Sequence, residues 1–163
     1  MARRVFFSFH YQRDIWRVNV VRNHWVTQDR QVAGYWDASL WESAKKKGDA
    51  AIKKMIDDAL VNTSVTVVLI GAETSTRPYV LYEIEKSYER GNGMLGVYIH
   101  NIPNNYRQTD VQGANPFNQI YIPTAYGGQQ YFSNMYLTFD WYLNRGYNSF
   151  ASWVEQAALA AGR

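Results

Sequence analysis

Ser64-Val65-Thr66-Val67-Val68-Leu69-Ile70 is a run of apolar and β-branched residues stopped by Gly71. It shows no polar alternation, so it reads as a strand buried on both faces, the kind found in parallel sheets covered by helices. Downstream, Thr74, Ser75 and Thr76 offer helix N-caps and Pro78 suits a first turn. Val80, Ile84 and Tyr88 then mark one face of a helix closing near Gly91. Met94–Ile99 supplies a further strand. Upstream, Ile52, Met55, Ile56, Ala59 and Leu60 trace an i, i+3, i+4, i+7, i+8 stripe, preceded by a weaker strand candidate at Gly34-Tyr35-Trp36-Asp37. The chain opens with an aromatic strand, Val5–Phe9, and a polar turn, His10–Arg13. A helix follows in which Ile15, Val18, Val21 or Arg22, and Trp25 recur at helical spacing. Strands alternating with helices predict a doubly wound α/β fold with right-handed crossovers.

The last third is less regular. Asn101–Gln130 is rich in Asn, Gln, Gly and Pro and long for a connection inside one domain, so it reads as an elaborated surface segment. Tyr131–Asp140 is a candidate fifth strand, and Ser149–Ala160 a closing helix bearing Phe150, Trp153 and Leu159.

Composition narrows the function. At 163 residues and 47% hydrophobic content the chain fits one globular domain that needs no staple. Its net charge of +3 favours anionic ligands but is too small to argue for a nucleic-acid backbone as partner. Lys45–Lys47, Lys53 and Lys54 interleave with the helical stripe and read as a solvated helix face. The absence of cysteine excludes disulfides, thiol nucleophiles and thiolate-bound metal. No stretch approaches ~20 apolar residues, and Met1-Ala2-Arg3-Arg4 runs into a strand rather than a signal-peptide core. A cytoplasmic protein without a membrane partner is the expectation.

In an open parallel sheet the ligand crevice lies beyond the carboxyl ends of the strands, where strand order reverses. That rule selects the loops Ser8–Tyr11, Asp37–Trp41, Gly71–Tyr79 and the segment from Asn101 onward. Neither a phosphate-binding Gly-Lys-Ser/Thr loop nor a three-glycine dinucleotide fingerprint occurs. His10, His24 and His100 lack metal-ligand spacing, so no metal site is expected. Two acids sit in the helix after the central strand. Glu83 and Glu85 each lie ~100° from Ile84, and periodicity does not separate them, or either from an ordinary solvated helix acid.

Phe6-Phe7-Ser8-Phe9-His10 resembles the first box of TIR domains. Ser75 to Ile84, ending Tyr79-Val80-Leu81-Tyr82-Glu83-Ile84, resembles the segment around the TIR catalytic glutamate. With Arg17–Arg22, Asp37–Glu42 and Gly146–Phe150 through Trp153, the chain resembles the TIR-like subunit of bacterial Thoeris antiphage defence, over most of its length except Asn101–Gln130. The resemblance implies a flavodoxin-like three-layer sandwich around a mostly parallel five-stranded sheet. It also implies a single TIR-like domain over residues 1–163 with a divergent surface segment at about 101–130.

The activity implied is NAD consumption: a hydrolase-like release of nicotinamide and formation of a cyclic ADP-ribose isomer or related ADP-ribosyl second messenger. That signal would activate a separate effector protein after a phage-derived trigger, with a homo-oligomer as the active form. NAD enters as substrate and no cofactor is implied. By the same matching Glu83 is the catalytic carboxylate, and Ser8, Phe9 and His10 edge the nucleotide pocket. Asp37 and Trp41 lie on a loop that rearranges in TIR assemblies, and Tyr79 stacks one turn before Glu83. Competing expectations from the same fold are a non-catalytic TIR-like interaction module and a nucleotide-binding module without turnover.

Overall fold

The computed structural model describes residues 3–28, 30–36 and 38–163. The chain runs through β1 (Val5–Ser8), α1 (Tyr11–Val26), β2 (Val32–Ala33), α2 (Ala38–Lys47), α3 (Asp49–Leu60), β3 (Val65–Ile70), α4 (Pro78–Glu89) and β4 (Gly93–Tyr98). A two-stranded antiparallel hairpin follows, β5 (Tyr121–Pro123) with β6 (Gln129–Tyr131), and then β7 (Thr138–Asp140) and α5 (Gly146–Ala160). The main sheet has the order β2-β1-β3-β4-β7, and every pairing in it is parallel.

Period-two alternation explains the layers. Val5 and Phe7 of β1, with Val65, Val67 and Leu69 of β3, pack against Val18, Val21 and Trp25 of α1 and Phe150 and Val154 of α5. Phe6 points to the opposite face, against Ile52, Ile56 and Leu60 of α3, while Val68 and Ile70 meet Val80 and Ile84 of α4. All six residues of β3 are buried, which accounts for their unbroken apolar run. Truncating Ile70 or Ile84 to alanine would cost roughly 2–5 kcal/mol. Because β2 and β3 flank β1, the strand order reverses between β1 and β3, and a crevice opens at their carboxyl ends.

Several boundaries differ from the sequence expectation. The second strand is Val32–Ala33, not Gly34–Asp37. Gly34 turns out of the sheet at φ +75°, and a Cβ there would meet the Phe7 carbonyl oxygen at 2.5 Å. The expected loop Asp37–Trp41 is mostly helix, since α2 begins at Ala38; Asp37 lies outside the described residues. The first helix starts at Tyr11, so the polar turn shrinks to His10 and Gln12–Arg13 are helical. Thr74–Thr76 forms a 3-10 turn rather than the cap of α4. Its Thr74 hydroxyl accepts from the Gly71 N–H at 2.8 Å, and Arg77 occupies the N-cap position.

Only Thr138–Asp140 of the expected strand Tyr131–Asp140 joins the main sheet, because Phe132–Asn134 coils into a 3-10 turn that buries Phe132 beside Phe117 and Ile120. The segment 101–130 is therefore more than surface elaboration, since Phe117 is fully buried against α4 and β3 partners. In α5 the buried stripe is Phe150, Trp153, Val154 and Ala158, and Leu159 is exposed one position past it. No helix among the described residues is long and apolar enough to cross a membrane.

Candidate active site

At the carboxyl ends of β1 and β3 lies a cavity of about 280 Å³. Phe9 and His10 line it from the connection after β1, Tyr11 and Gln12 from α1, Trp41 and Lys45 from α2, Gly48, Asp49 and Ile52 from the N-cap and first turn of α3, and Arg77, Tyr79, Val80 and Glu83 from the N-cap and first turns of α4. Four helices and the connection between β1 and α1 therefore converge on the point where the sheet order reverses.

Glu83 is 4% exposed and forms part of the cavity wall, while Glu85 is exposed. The helix face decides between them. Val80, Glu83, Ile84 and Ser87 are the buried residues of α4, an i, i+3, i+4, i+7 set that presses against the sheet. Ser87 is the small residue that permits this approach: its hydroxyl donates to the Glu83 carbonyl at 2.7 Å and pairs with the Thr66 hydroxyl at 2.6 Å. Read as 80-84-88, the stripe leaves the two acids level; with Ser87 included, Glu83 falls inside it.

Burial pushes the Glu83 carboxyl up to about 8, a push partly countered by the nearby Ser8 hydroxyl at the end of β1. That contact is too imperfect to satisfy either group, because Ser8 Oγ and Glu83 Oε2 both lack a hydrogen-bond partner. At neutral pH the carboxyl is thus mostly protonated, and a nearby positive charge would favour its ionised form.

The other sequence candidates divide. His10 is 8% exposed, lines the cavity, and is held below the usual histidine range first by burial and then by the Arg77 charge. Phe9 does two jobs, packing in the core and showing an edge to the cavity. Ser8 stands behind Glu83 rather than on the lining. Trp41 stacks on Tyr11 at 5.6 Å between centroids and on Trp36 at 5.9 Å, and meets Tyr79 edge-on at 6.3 Å. Tyr79 is steered by its hydroxyl, which donates to Asp49 at 2.8 Å. His24 and His100 lie elsewhere, and no cluster of three metal-ligating side chains occurs among the described residues.

Sequence reasoning missed Lys45, Asp49 and Arg77. Lys45 reads in the sequence as part of a solvated helix face, and it is exposed like Lys46 and Lys47, but it also lines the cavity. Its proximity to α4 depends on the turn at Gly48 between α2 and α3, where φ is +102°.

The family model described as Thoeris protein ThsB, TIR-like domain, matches residues 6–104, a span that holds β1 from Phe6 onward, every residue that lines the cavity and all of α4. The chain belongs to this family. Its wholly parallel five-stranded sheet in the order β2-β1-β3-β4-β7 is accordingly a TIR-like, flavodoxin-like fold. A Bacillus cereus (strain MSX-D12) relative, named as a candidate cyclic ADP-D-ribose synthase, ThsB1, is 43% identical over an alignment of 192 residues that takes in 94% of this chain and 100% of the relative. Membership in the ThsB TIR-like family thus extends through most of the chain, beyond the residues that the family model itself matches.

Proposed function

We propose that this protein is an NAD-consuming enzyme of antiphage defence that releases nicotinamide and converts the remainder into a cyclic ADP-ribose isomer or related ADP-ribosyl signal for a separate effector. The observation that carries the reading is Glu83: a carboxyl with a free oxygen, walled into an aromatic cavity at the sheet's switch point. The name of the 43% identical relative supports the same chemistry.

In the mechanism, the pyridinium end of NAD enters beside Glu83. Its positive charge favours the carboxylate, so binding lowers the raised pKa and expels a proton. The bond between the ribose anomeric carbon and the pyridinium nitrogen then breaks, and its electron pair goes to nitrogen. Neutral nicotinamide leaves, and a ribosyl cation remains that the Glu83 carboxylate stabilises electrostatically. A nitrogen or hydroxyl of the same molecule captures the cation and closes a ring, and the proton of an attacking hydroxyl passes to the carboxylate. Trp41, Tyr11 and Tyr79 form the aromatic wall that limits competing capture by water. Activity awaits a phage-derived trigger and self-assembly.

The test is nicotinamide release from NAD by the full chain, with and without phage lysate, beside Glu83→Gln. Release that requires Glu83 is the expected result. No release from assembled, trigger-exposed protein, or undiminished release by the variant, overturns the reading.

A further inference from the structure

From Val111 to Phe139 the sequence carries no Asp, Glu, Lys, Arg or His, although 19% of the chain is charged. The middle of that stretch is the β5–β6 hairpin, a sheet of its own, anchored at its base by the buried Phe117, Ile120 and Phe132. Above the base every residue of β6 is exposed, and so are Tyr121 and the tip residue Tyr126.

Hydrogen bonding fixes which backbone groups the hairpin leaves open. The Phe132 N–H donates to the Ile120 carbonyl at 2.8 Å, and the Thr124 N–H to the Gly128 carbonyl at 2.9 Å. With Ile122 opposite Gln130, the bonded pairs are 120–132, 122–130 and 124–128, because bonded and non-bonded pairs alternate in an antiparallel ladder. Residues 121, 123, 129 and 131 therefore point their backbone groups outward. On β5 that edge is blunted, since Pro123 has no N–H. On β6 both Gln129 and Tyr131 keep donor and acceptor, and no third strand meets them among the described residues. Neither a charge nor a proline guards this edge, as they commonly guard an unpaired strand.

We propose that the β6 edge pairs with the β6 edge of a second copy of this chain, joining two hairpins into one antiparallel sheet about a two-fold axis. The register follows from the open groups. Gln129 of each copy exchanges backbone hydrogen bonds with Tyr131 of the other, and Gln130 meets Gln130 on the axis as a non-bonded pair, about 4.5 Å between Cα atoms. Side chains agree with this register. Within β6 the Tyr131 hydroxyl donates to the Gln129 amide oxygen at 3.2 Å, and across the axis the same donor and acceptor share one face. Tyr126, fully exposed at the tip, falls against the turn at Ser133–Asn134 of the second copy.

The missing charges favour a second copy as the occupant. Two chains of net charge +3 meet here without like charges in contact, whereas a foreign strand recognised by charge would find no counterpart. One open edge per hairpin closes the assembly as a dimer instead of extending it into a fibre. The contact is short, which makes the dimer weak and concentration-dependent. This pairing goes beyond the enzyme reading and does not rest on it.

The experiment follows the mass of the full chain by sedimentation over a concentration series, for the parent, Gln130→Lys, Gln130→Glu and an equimolar mixture of the two variants. Gln130 is exposed, so both variants should fold. The parent is expected to pass from monomer to dimer as concentration rises. Each charge variant should raise the dissociation constant about fivefold or more, because like charges meet on the axis, and the mixture should recover the parent value. The chain has no cysteine, so Gln130→Cys gives a second reading. The axis brings its two sulfurs within disulfide reach, and mild oxidation should link two copies far faster than it links Glu85→Cys, at an exposed site on α4. A parent that stays monomeric throughout, charge variants that dimerise like the parent, or a mixture no tighter than its components overturns the pairing. Gln130→Cys that links to a protein of phage lysate and never to itself assigns the edge to a foreign strand and also overturns it. Nicotinamide release is not a readout, so loss of the dimer leaves the enzyme reading standing.

Discussion

Two buried acids sit on opposite sides of the β1/β3 junction, and they differ in what they face. Glu83 looks into the cavity, whereas Asp14, 1% exposed on α1, is wedged against Gly71 at the end of β3, where an added Cβ would lie 2.2 Å from Asp14 Oδ2. Both lack hydrogen bonds, at Glu83 Oε2 and at both Asp14 oxygens. Burial raises both, Glu83 to about 8 and Asp14 to about 6. Asp14 is pulled back by the charges of Arg17 and Arg13, which themselves reach across to Asp110 at 3.8 and 3.1 Å. Glu83 has no such counter-charge among the causes of its shift. Glu83 thus has open space and no counter-charge beside it, whereas Asp14 has arginine charges nearby and a glycine closing it in.

The largest separation should appear in turnover. Glu83→Gln is expected to lower nicotinamide release by about 100-fold or more, while Asp14→Asn leaves it near the parent value; comparable losses in both variants would erase the contrast. In the parent, kcat/KM should climb as pH rises and level off near the Glu83 value of about 8, because the carboxylate is the working form. Asp14→Asn should keep that limb in a pH–rate profile.

Stability is the next test. At low pH both acids are protonated folded or unfolded and cost nothing. As pH rises, the unfolded chain ionises first, so the folded state loses ground. For Glu83 the loss runs from 4.5 to about 8; for Asp14 it runs from 3.8 to about 6. At pH 7 the Glu83 cost is on the order of 3 kcal/mol. Glu83→Gln should therefore unfold several degrees higher at pH 8 and near the parent at pH 4, and Asp14→Asn should show its full gain already at pH 6. Thermal melts across pH 4–9 would register these windows.

A smaller effect concerns the aromatic wall. Trp41→Ala should raise KM for NAD by up to about tenfold with a lesser change in kcat; steady-state kinetics check the split. Least of all, Glu85→Gln should leave turnover unchanged and stability within about 0.5 kcal/mol, as measured by the same assay and melts. A larger effect at Glu85 would reverse the assignment of the helix face.

The legible parts of the molecule were those written in local patterns. The apolar run of β3 and the stripe of α3 needed no partner to be recognised, since burial on two faces and a 3.6-residue period leave their marks in neighbouring residues. Short elements escaped: β2 has two residues and β7 three, too few to display a period, and both are defined by hydrogen bonds to strands distant in the chain. α2 was hidden because its sequence, Ala38–Lys47, has few core positions; Ala44 is its buried contact with the α3 cluster.

At the site the same division holds. The sequence by itself determined the alternation of strand and helix, the switch-point loops and a helix bearing two acids. Resemblance singled out Glu83 from them. Tertiary structure alone decided that Glu83 faces the cavity, that its carboxyl is held far above its solution pKa, and that Lys45 and Arg77, remote in the chain, share one rim. The reason is physical: a helix period reports which side of a segment is apolar, but desolvation and the approach of opposite charges depend on what other segments bring to that side.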